Sequence, residues 1–387
     1  MTKKTTLLAA AATAWTALAT GSAGAVTKAP CAVRPVISAA AHPPRVQIAL
    51  LLDTSGSMTG LIDQARSQLW SVVNEFAAAR RDGQVVELQV ALYEYGNDRI
   101  PAARGHVRQV LPFTTDLDRV SEELFALTTL GGEEYCGLVI QTALDELRWS
   151  TSPGDLKAVF IAGNEPFSQG PVDFRRVSAR ARARDVAINT IHCGPRAVGE
   201  NTGWSEGARL AQGTFGVLDQ DRKVAYVPAP QDEEIARLGR ALNDTYLPYG
   251  AEGAAGQARQ KAQDGNASSA NTGASISRAF TKAGRLYSNS TWDLVDAVNN
   301  KKVDLGAVKA ADLPPALQNL TPDQRRAVVK QKTEERARIQ ARLQELEKER
   351  RGYLAQVRRA EAAPDTLDAV MMQGLRDQAA CRGFALQ

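Results

Sequence analysis

A short polar motif at the end of an apolar run constrains the fold of this chain more than any other feature. Residues 46–52 read Val-Gln-Ile-Ala-Leu-Leu-Leu, and residues 53–57 read Asp-Thr-Ser-Gly-Ser. A near-continuous apolar run is typical of a strand buried on both faces of a parallel sheet. Open α/β sheets bind their ligands at the carboxyl ends of such strands. The motif therefore predicts a binding edge that carries Asp53, Ser55 and Ser57.

Apolar strand candidates alternate with amphipathic helix candidates from residue 46 to about residue 250. The strand candidates are residues 46–53, 86–95, 107–113, 158–162, 186–193 and 214–218. The helix candidates are residues 59–80, 117–127, 136–148, 173–184, 203–212 and 231–246. This alternation predicts an α/β fold with a mainly parallel sheet and helices on both faces. The turn-rich Gly96-Asn97-Asp98 indicates one antiparallel strand pair at the edge of the sheet.

The spacing Asp-x-Ser-x-Ser, with a strand before it and a helix after it, resembles the metal-ion-dependent adhesion site of von Willebrand factor type A (VWA) domains. The resemblance covers residues 45–250 and implies a Rossmann-like VWA domain there. Three hard oxygen donors in one tight turn suit Mg²⁺, Ca²⁺ or Mn²⁺. Asp53, Ser55 and Ser57 are therefore the first candidate ligands. The resemblance also implies that a protein partner binds at this edge, through the cation.

The other two loops of the family's site depart from its pattern in this chain. Where the family has a threonine after two glycines, this chain has Glu133, followed by Glu134. Where the family has Asp-Gly after an apolar strand, this chain has Gly163-Asn164-Glu165. Glu133, Glu134 and Glu165 are therefore the further candidate metal ligands. In the alternative, the glutamates face away and the site is free of metal.

The first 25 residues have the composition of a secretory signal peptide. Lys3 and Lys4 precede an apolar stretch at residues 7–20, and small residues at 23–25 form a candidate cleavage site. The apolar stretch is too short, and too rich in Ala and Thr, to make a good membrane span. We therefore expect an exported protein, periplasmic or extracellular, with no transmembrane span beyond the signal peptide.

An exported chain would place its four cysteines in an oxidising compartment. They are Cys31, Cys136, Cys193 and Cys381. An even number in an oxidising compartment indicates disulfide bonds, and four cysteines allow three pairings. Cys136 opens a helix after a glycine turn and Cys193 ends a strand, so both are expected near one edge of the sheet. We favour the pairs Cys136–Cys193 and Cys31–Cys381, the second of which would tie the two ends of the chain together.

The composition changes after residue 250. Residues 251–275 are rich in Gly, Ala, Gln, Asn and Ser, a composition that predicts a flexible linker. We therefore divide the chain into a signal peptide, an N-terminal extension, a VWA domain, a linker and a C-terminal helical region. The boundaries of these parts are residues 1–25, 26–44, 45–250, 251–275 and 276–387.

A long helix is predicted in the C-terminal region. It starts at Thr321-Pro322-Asp323-Gln324, which has the pattern of a capping box with proline at the first helical position. Apolar residues then recur with heptad-like spacing at Ile339, Leu343, Leu346, Tyr353 and Val357. Fewer than four clean heptads are present, so a helical hairpin within one chain and a coiled-coil oligomer are both open. We favour packing within one chain, because Arg350 stands where an apolar residue is expected.

Enzyme signatures are lacking in the sequence. The three histidines, His42, His106 and His192, have no nucleophile at a suitable spacing, and Ser55 is not in a Gly-x-Ser-x-Gly elbow. The formal charge of +4 is small for 387 residues and does not indicate a nucleic-acid partner. We expect a binding module with a protein partner and no enzymatic activity. A metal-free structural scaffold of the envelope is the main alternative, and a metal-assisted hydrolase is the minor one.

Overall fold

A six-stranded sheet lies at the centre of the computed structural model, which describes residues 42–77, 79–221, 226–358 and 367–385. The strands are β1 (Arg45–Asp53), β2 (Arg80–Arg81), β3 (Gln84–Val85), β4 (Glu87–Tyr95), β5 (Val107–Thr114), β6 (Leu156–Gly163), β7 (Ala187–Cys193), β8 (Phe215–Leu218) and β9 (Phe384–Ala385). The central sheet has the order β5-β4-β1-β6-β7-β8, and β3-β2-β9 form a small second sheet. Neighbours in the central sheet are parallel, except for β4 and β5. The predicted mainly parallel sheet with one antiparallel edge is therefore confirmed.

Helices connect and cover these strands. They are α1 (Thr59–Ala77), α2 (Leu117–Ala126), α3 (Cys136–Glu146), α4 (Phe174–Ala183), α5 (Arg196–Asn201), α6 (Trp204–Leu210), α7 (Asp232–Asn243), α8 (Gly253–Ala270), α9 (Thr272–Ala283), α10 (Leu294–Asn299), α11 (Pro315–Gln318), α12 (Pro322–Arg358) and α13 (Leu367–Cys381). Each of the six helices predicted before residue 250 occurs, and α5 is an additional short one.

The two faces of the central sheet carry separate apolar cores, because successive side chains of a strand point to opposite faces. On one face, Ile48 and Leu52 of β1 pack in a core with α1, α2 and α13. On the other face, Ala49 and Leu51 pack with α3, α4 and α6. Helices therefore cover both faces, as the sequence predicts.

The last helix, α13, completes the first of these cores, although residues 219–366 separate it from β8. Its side chains Leu367, Met371 and Leu375 are buried in that core. Gln378 donates a hydrogen bond from Nε2 to Oδ1 of Asn189 on β7, at 2.7 Å, and so fixes the helix to the sheet. The sheet therefore takes one of its covering helices from the C-terminal end of the chain.

Residues 251–275, predicted to form a flexible linker, are largely helical. Within α8, Gln260 is buried, and Gly256 lies so close to Trp292 that a Cβ there would come within 2.2 Å of the ring. Alanine and glutamine are good helix formers, and small side chains let a helix approach its neighbours closely. The linker prediction is therefore wrong, since the same composition here forms a packed helix.

The C-terminal helices belong to the same compact unit as the sheet. Leu343 and Leu346 of α12 are buried in a core that also contains α7 and α9. The predicted packing of this apolar face within one chain is therefore confirmed for these two leucines, and a coiled coil is not established. The helix α13 does not belong to this core, because it packs on the sheet. Val357 near the end of α12 is exposed.

A pair of hydrogen bonds explains where α12 begins, and an ion pair explains why its heptad pattern is interrupted at Arg350. The Thr321 amide donates to Oε1 of Gln324 at 2.9 Å, and the Gln324 amide donates to Oγ1 of Thr321 at 3.3 Å. This is the predicted capping box. Arg350 interrupts the heptad because its Nε lies 2.6 Å from Oδ1 of Asp232 at the start of α7. A charge pair to a neighbouring helix has taken the place of an apolar contact.

The predicted signal peptide and most of the predicted N-terminal extension lie outside the described residues. Residues 42–44 lead directly into β1. Within the described ranges, no helix is both long and apolar enough to cross a membrane. Export of the chain stays a prediction.

Candidate functional site

Three loops are joined by backbone hydrogen bonds at the carboxyl end of β1. The Thr54 amide donates to the Tyr95 carbonyl at 2.9 Å, which connects the motif to the end of β4. The Leu130 amide donates to the Thr54 carbonyl at 3.0 Å, and the Asp98 amide donates to the Gly131 carbonyl at 2.8 Å. The motif, the turn after β4 and the loop before α3 therefore form one connected layer at the predicted binding edge.

Two glycines allow the loops to close around the Asp53 carboxyl group. Gly96 has a φ of +77°, and a Cβ at this position would lie 2.9 Å from Oδ1 of Asp53. A Cβ on Gly163 would lie 3.0 Å from Oδ2 of Asp53 and 2.5 Å from the hydroxyl of Tyr95. Gly163 is the position where the resemblance leads one to expect an aspartate. A side chain at residue 163 would therefore clash with the Tyr95 hydroxyl and press against Asp53.

Asp53 is fully buried, and only one of its two carboxyl oxygens accepts a hydrogen bond from the described residues. Its Oδ1 accepts a hydrogen bond from the Ser55 amide at 2.7 Å, and its Oδ2 has no partner among the described residues. Burial raises the pKa of this carboxyl group to about 7, with smaller upward effects from the charges of Glu134 and Glu165. Hydrogen bonds from Ser55 oppose the rise in pKa. A buried carboxylate with a free oxygen is a group that gains from a bound cation.

The two serine hydroxyls of the motif lie together beside this carboxyl group. Ser55 Oγ and Ser57 Oγ are 3.3 Å apart, and Asn164 donates from Nδ2 to Ser57 Oγ at 3.2 Å. Gln220, just after β8, donates from Nε2 to the Ser57 carbonyl at 3.0 Å. Oδ1 of Asn164 and Oε1 of Gln220 are buried and have no partner among the described residues. Gln220 was not predicted as a site residue, although its position just after a parallel strand could have indicated it.

The three candidate glutamates differ in their burial and in their contacts. Glu134 is buried, and its pKa is raised by burial and then by the charge of Glu165. Glu165 is half-buried, and its carbonyl accepts a hydrogen bond from Trp204 Nε1 at 2.9 Å. Glu133 is exposed, and its Oε2 accepts a hydrogen bond from Gln169 Nε2 at 3.2 Å. Glu134 and Glu165 therefore act electrostatically on Asp53, whereas Glu133 lies at the solvent-facing side.

Residues 47–208 match the family model of the von Willebrand factor type A domain. The chain therefore contains a VWA domain. The matched segment ends before β8, so the strand β8 and the helices after it lie outside the match. No curated protein sequence matches the chain.

Several solved structures are similar to part of the chain. The mussel byssus proximal thread matrix protein 1, with a zinc-occupied metal-ion-dependent adhesion site, is 15% identical over 46% of this chain and 43% of its own, with a TM-score of 0.36. BatB from Bacteroides thetaiotaomicron is 14% identical over 45% of this chain and 90% of its own, with a TM-score of 0.35. The vWF domain of the type V pili tip protein Mfa5 from Porphyromonas gingivalis is 12% identical over 46% of this chain and 91% of its own, with a TM-score of 0.33. This chain thus spans less than half the length of the mussel protein.

The residues of the VWA motif offer a suitable first set of ligands for a hard cation. Among the described residues, no three His, Cys, Asp or Glu side chains form a group that could hold a metal. The fit depends instead on one carboxylate and two hydroxyls, because Asp53 has a buried oxygen without a partner among the described residues and the Ser55 and Ser57 hydroxyls lie 3.3 Å apart. All three donors are oxygens, which suit Mg²⁺, Ca²⁺ or Mn²⁺. Ligation by these residues and by the three glutamates stays a prediction.

Cys136 and Cys193 are both buried free thiols, so the predicted disulfide between them is wrong. Both lie near the carboxyl edge of the sheet, as expected. However, Cys136 belongs to the core on the α3 side, and Cys193 to the core on the α1 side. Because side chains alternate along a strand, a shared edge does not bring two thiols together when they face opposite layers. The other predicted pair, Cys31–Cys381, involves Cys31, which lies outside the described residues.

Proposed function

We propose that this chain is an exported binding module that captures a protein partner at the carboxyl edge of its VWA sheet. A divalent cation held by Asp53, Ser55 and Ser57 takes part in that binding. The supporting observation is the buried Oδ2 of Asp53, which has no partner among the described residues, in a motif whose Ser55 and Ser57 hydroxyls lie 3.3 Å apart. Burying an ionised carboxylate without a partner costs on the order of several kcal/mol of free energy, and a bound cation offsets that cost. Once bound, the cation would supply positive charge at the sheet edge.

The arrangement around Ser55 supports a binding role over hydrolysis. Its hydroxyl lies 3.3 Å from that of Ser57, and none of the described histidines hydrogen-bonds to it. A serine nucleophile needs a base within hydrogen-bond distance, with a third group to orient that base. Such a set does not surround Ser55 in the described part of the chain. The proposal is therefore a non-enzymatic module, in which the serines bind and orient a cation.

Thermal unfolding with and without cation tests this proposal. A ligand that binds only the native state raises its melting temperature. We expect millimolar Mg²⁺, Ca²⁺ or Mn²⁺ to raise the Tm of the chelator-treated protein, and Asp53→Ala to abolish the rise. Asp63→Asn is the matched control, because Asp63 is exposed and pairs with Arg66 on α1. A wild-type Tm that no divalent cation shifts would contradict the proposal.

A metal-free scaffold is the second candidate function, and one observation favours it. Ser55 Oγ lies 3.3 Å from Ser57 Oγ, so the two hydroxyls of the motif already pair with each other. In that case the VWA sheet holds the C-terminal helices in place and its edge needs no ion. The Tm experiment separates the two functions, because only the first predicts a cation-dependent shift.

A further inference from the structure

Ser57 is the least enclosed of the three proposed cation ligands. Asp53 and Ser55 are buried, whereas Ser57 is exposed. It lies in a single 3₁₀ turn, Gly56–Met58, directly before α1. A 3₁₀ turn has poorer hydrogen-bond geometry than an α-helix. The position of the Ser57 hydroxyl therefore depends on contacts from other parts of the chain.

Two amide side chains from distant loops hold Ser57. Asn164, just after β6, donates from Nδ2 to the Ser57 hydroxyl at 3.2 Å, and Gln220, just after β8, donates from Nε2 to the Ser57 carbonyl at 3.0 Å. The orientation of the Gln220 amide is fixed by this contact, because a carbonyl oxygen only accepts hydrogen bonds and the NH₂ group must face it. The two amides thus hold both the side chain and the backbone of Ser57.

The hydroxyl of Ser57 still has an acceptor site for a cation in this arrangement. A hydroxyl oxygen has one proton and two lone pairs. One lone pair accepts from Asn164, and the proton of Ser57 can be donated to Ser55 Oγ at 3.3 Å. The second lone pair is then available to a cation. The contacts that position Ser57 are therefore compatible with its proposed role as a ligand.

Contacts to α1 fix the segment that carries Gln220. Gln64 of α1 donates from Nε2 to the Asp219 carbonyl at 2.8 Å and to the Gln220 carbonyl at 3.3 Å. A Cβ on Gly60 would lie 2.4 Å from the Gln220 carbonyl oxygen, so this segment and the start of α1 are in close contact. Because α1 follows the motif directly, Gln220 is held in a fixed position relative to Ser57.

The amide oxygens of these two side chains give a second, independent observation. Oδ1 of Asn164 and Oε1 of Gln220 are buried, and neither has a hydrogen-bond partner among the described residues. A buried acceptor without a partner is unfavourable, and such groups are found at strained or functional positions. Both amides therefore direct their donor groups to Ser57 although their oxygens are left unpaired, which indicates that Ser57 has more than a structural role.

We infer that Gln220 is a positioning residue of the proposed cation site and acts through Ser57. The inference rests on the proposed function, because it concerns the same site. Gln220 lies outside residues 47–208, which match the VWA family model. Residues that orient a direct ligand typically change metal affinity by about 10- to 100-fold when they are replaced. Mg²⁺ demands near-ideal octahedral geometry, whereas Ca²⁺ accepts flexible coordination, so a loosened Ser57 should disfavour Mg²⁺ more than Ca²⁺.

Mn²⁺ binding to the variant Gln220→Met, followed by electron paramagnetic resonance, tests the inference. Methionine is similar in size to glutamine and cannot donate a hydrogen bond to the Ser57 carbonyl. We expect the Kd for Mn²⁺ to rise by about tenfold. Displacement of bound Mn²⁺ by Mg²⁺ and by Ca²⁺ gives the Kd of each, and the Kd for Mg²⁺ should rise more than that for Ca²⁺. Gln356→Met is the matched control, because Gln356 is exposed near the end of α12, and it should leave all three values unchanged.

The ratio of the Kd values for Mg²⁺ and Ca²⁺ separates positioning from general stability. Both values are properties of the folded protein, so a lower Tm by itself does not change their ratio. An unchanged Kd for Mn²⁺ in Gln220→Met, or an equal loss of affinity for Mg²⁺ and Ca²⁺, would overturn the inference and leave the proposed function in place. A wild-type protein that binds none of the three ions would contradict the proposed function itself, and the inference with it.

Discussion

Arg278 of α9 and Asp118 of α2 form a buried ion pair, with 2.5 Å between Nη1 and Oδ1 and side chains 2% and 4% exposed. Tyr287 donates from its hydroxyl to Oδ2 of the same Asp118 at 2.6 Å. Arg278 also contacts Asp264 of α8, and its guanidinium lies 4.4 Å from the centroid of the Trp70 ring on α1. The C-terminal helices are therefore attached to the VWA domain by a charged network that is shielded from water.

Loss of this buried pair should be costly. Arg278→Met leaves the Asp118 carboxylate buried without its main counter-charge, and we expect a loss of about 3–5 kcal/mol in the free energy of unfolding. The double variant Arg278→Met with Asp118→Asn should recover part of that loss, since both charges are gone. Urea denaturation measures both values. Arg326→Ala is the control, because its partner Asp323 is exposed and such pairs contribute about 0–1 kcal/mol. Equal losses for Arg278→Met and the control would contradict the role of the network.

The attachment of α13 can be tested by shortening one side chain. Leu375 is fully buried in the core between α13 and the sheet, so Leu375→Ala should cost about 2–5 kcal/mol of unfolding free energy. Val357→Ala on α12 is the control, because Val357 is 42% exposed and should change stability by less than about 0.5 kcal/mol. A Leu375→Ala protein as stable as the control variant would mean that α13 is not needed to close the core.

Gly163 stands where the family pattern has an aspartate, and the surrounding atoms leave no room for a larger side chain there. A Cβ there would lie 2.5 Å from the Tyr95 hydroxyl, so Gly163→Ala should cost about 1–3 kcal/mol of unfolding free energy. Adding Tyr95→Phe removes the contacted hydroxyl, and the two changes should then cost less than the sum of the single ones. Gly352→Ala on α12 is the control, because nothing lies within 4 Å and the change should stabilise by about 0.5–1 kcal/mol. Additive losses in the double variant would contradict a steric cause.

Lys282 should make the stability depend on pH in the alkaline range. Burial lowers its pKa to about 8 in the folded chain, opposed by Asp264, whereas an unfolded lysine titrates near about 10.4. Between these values the unfolded state holds more protons, so the free energy of unfolding should rise with pH. Lys282→Met should remove that part of the rise, and Lys302→Met, an exposed control, should not. Identical pH slopes for wild type and Lys282→Met, measured by urea denaturation, would refute this prediction.

The sequence predicted those parts of the fold and site that have a local signal. Residues 46–52 and the five residues after them mark a strand and a turn by themselves, and parallel pairing then places Asp53 at the carboxyl edge. Gln220 and the buried state of Glu134 have no such signal, because they depend on which loops meet in space.

The linker prediction and the Cys136–Cys193 disulfide prediction were wrong because both depend on contacts between distant parts of the chain. The small residues of α8 have the composition of a linker, but the close contact of Gly256 with Trp292 shows that they allow tight packing. Cys136 and Cys193 share an edge in the topology, yet the alternation of side chains puts them in different cores. Both outcomes are fixed by tertiary contacts that no local pattern shows.

Mn²⁺ binding followed by electron paramagnetic resonance tests whether Asp53, Ser55 and Ser57 hold a divalent cation. Free Mn²⁺ gives a sharp signal that broadens when the ion binds to protein. We predict one bound Mn²⁺ per chain for the wild type and for the Asp63→Asn control, and no bound ion for Asp53→Ala combined with Ser57→Ala. A wild-type protein that leaves all the Mn²⁺ free, or a double variant that binds as tightly as the wild type, would contradict cation binding by these residues.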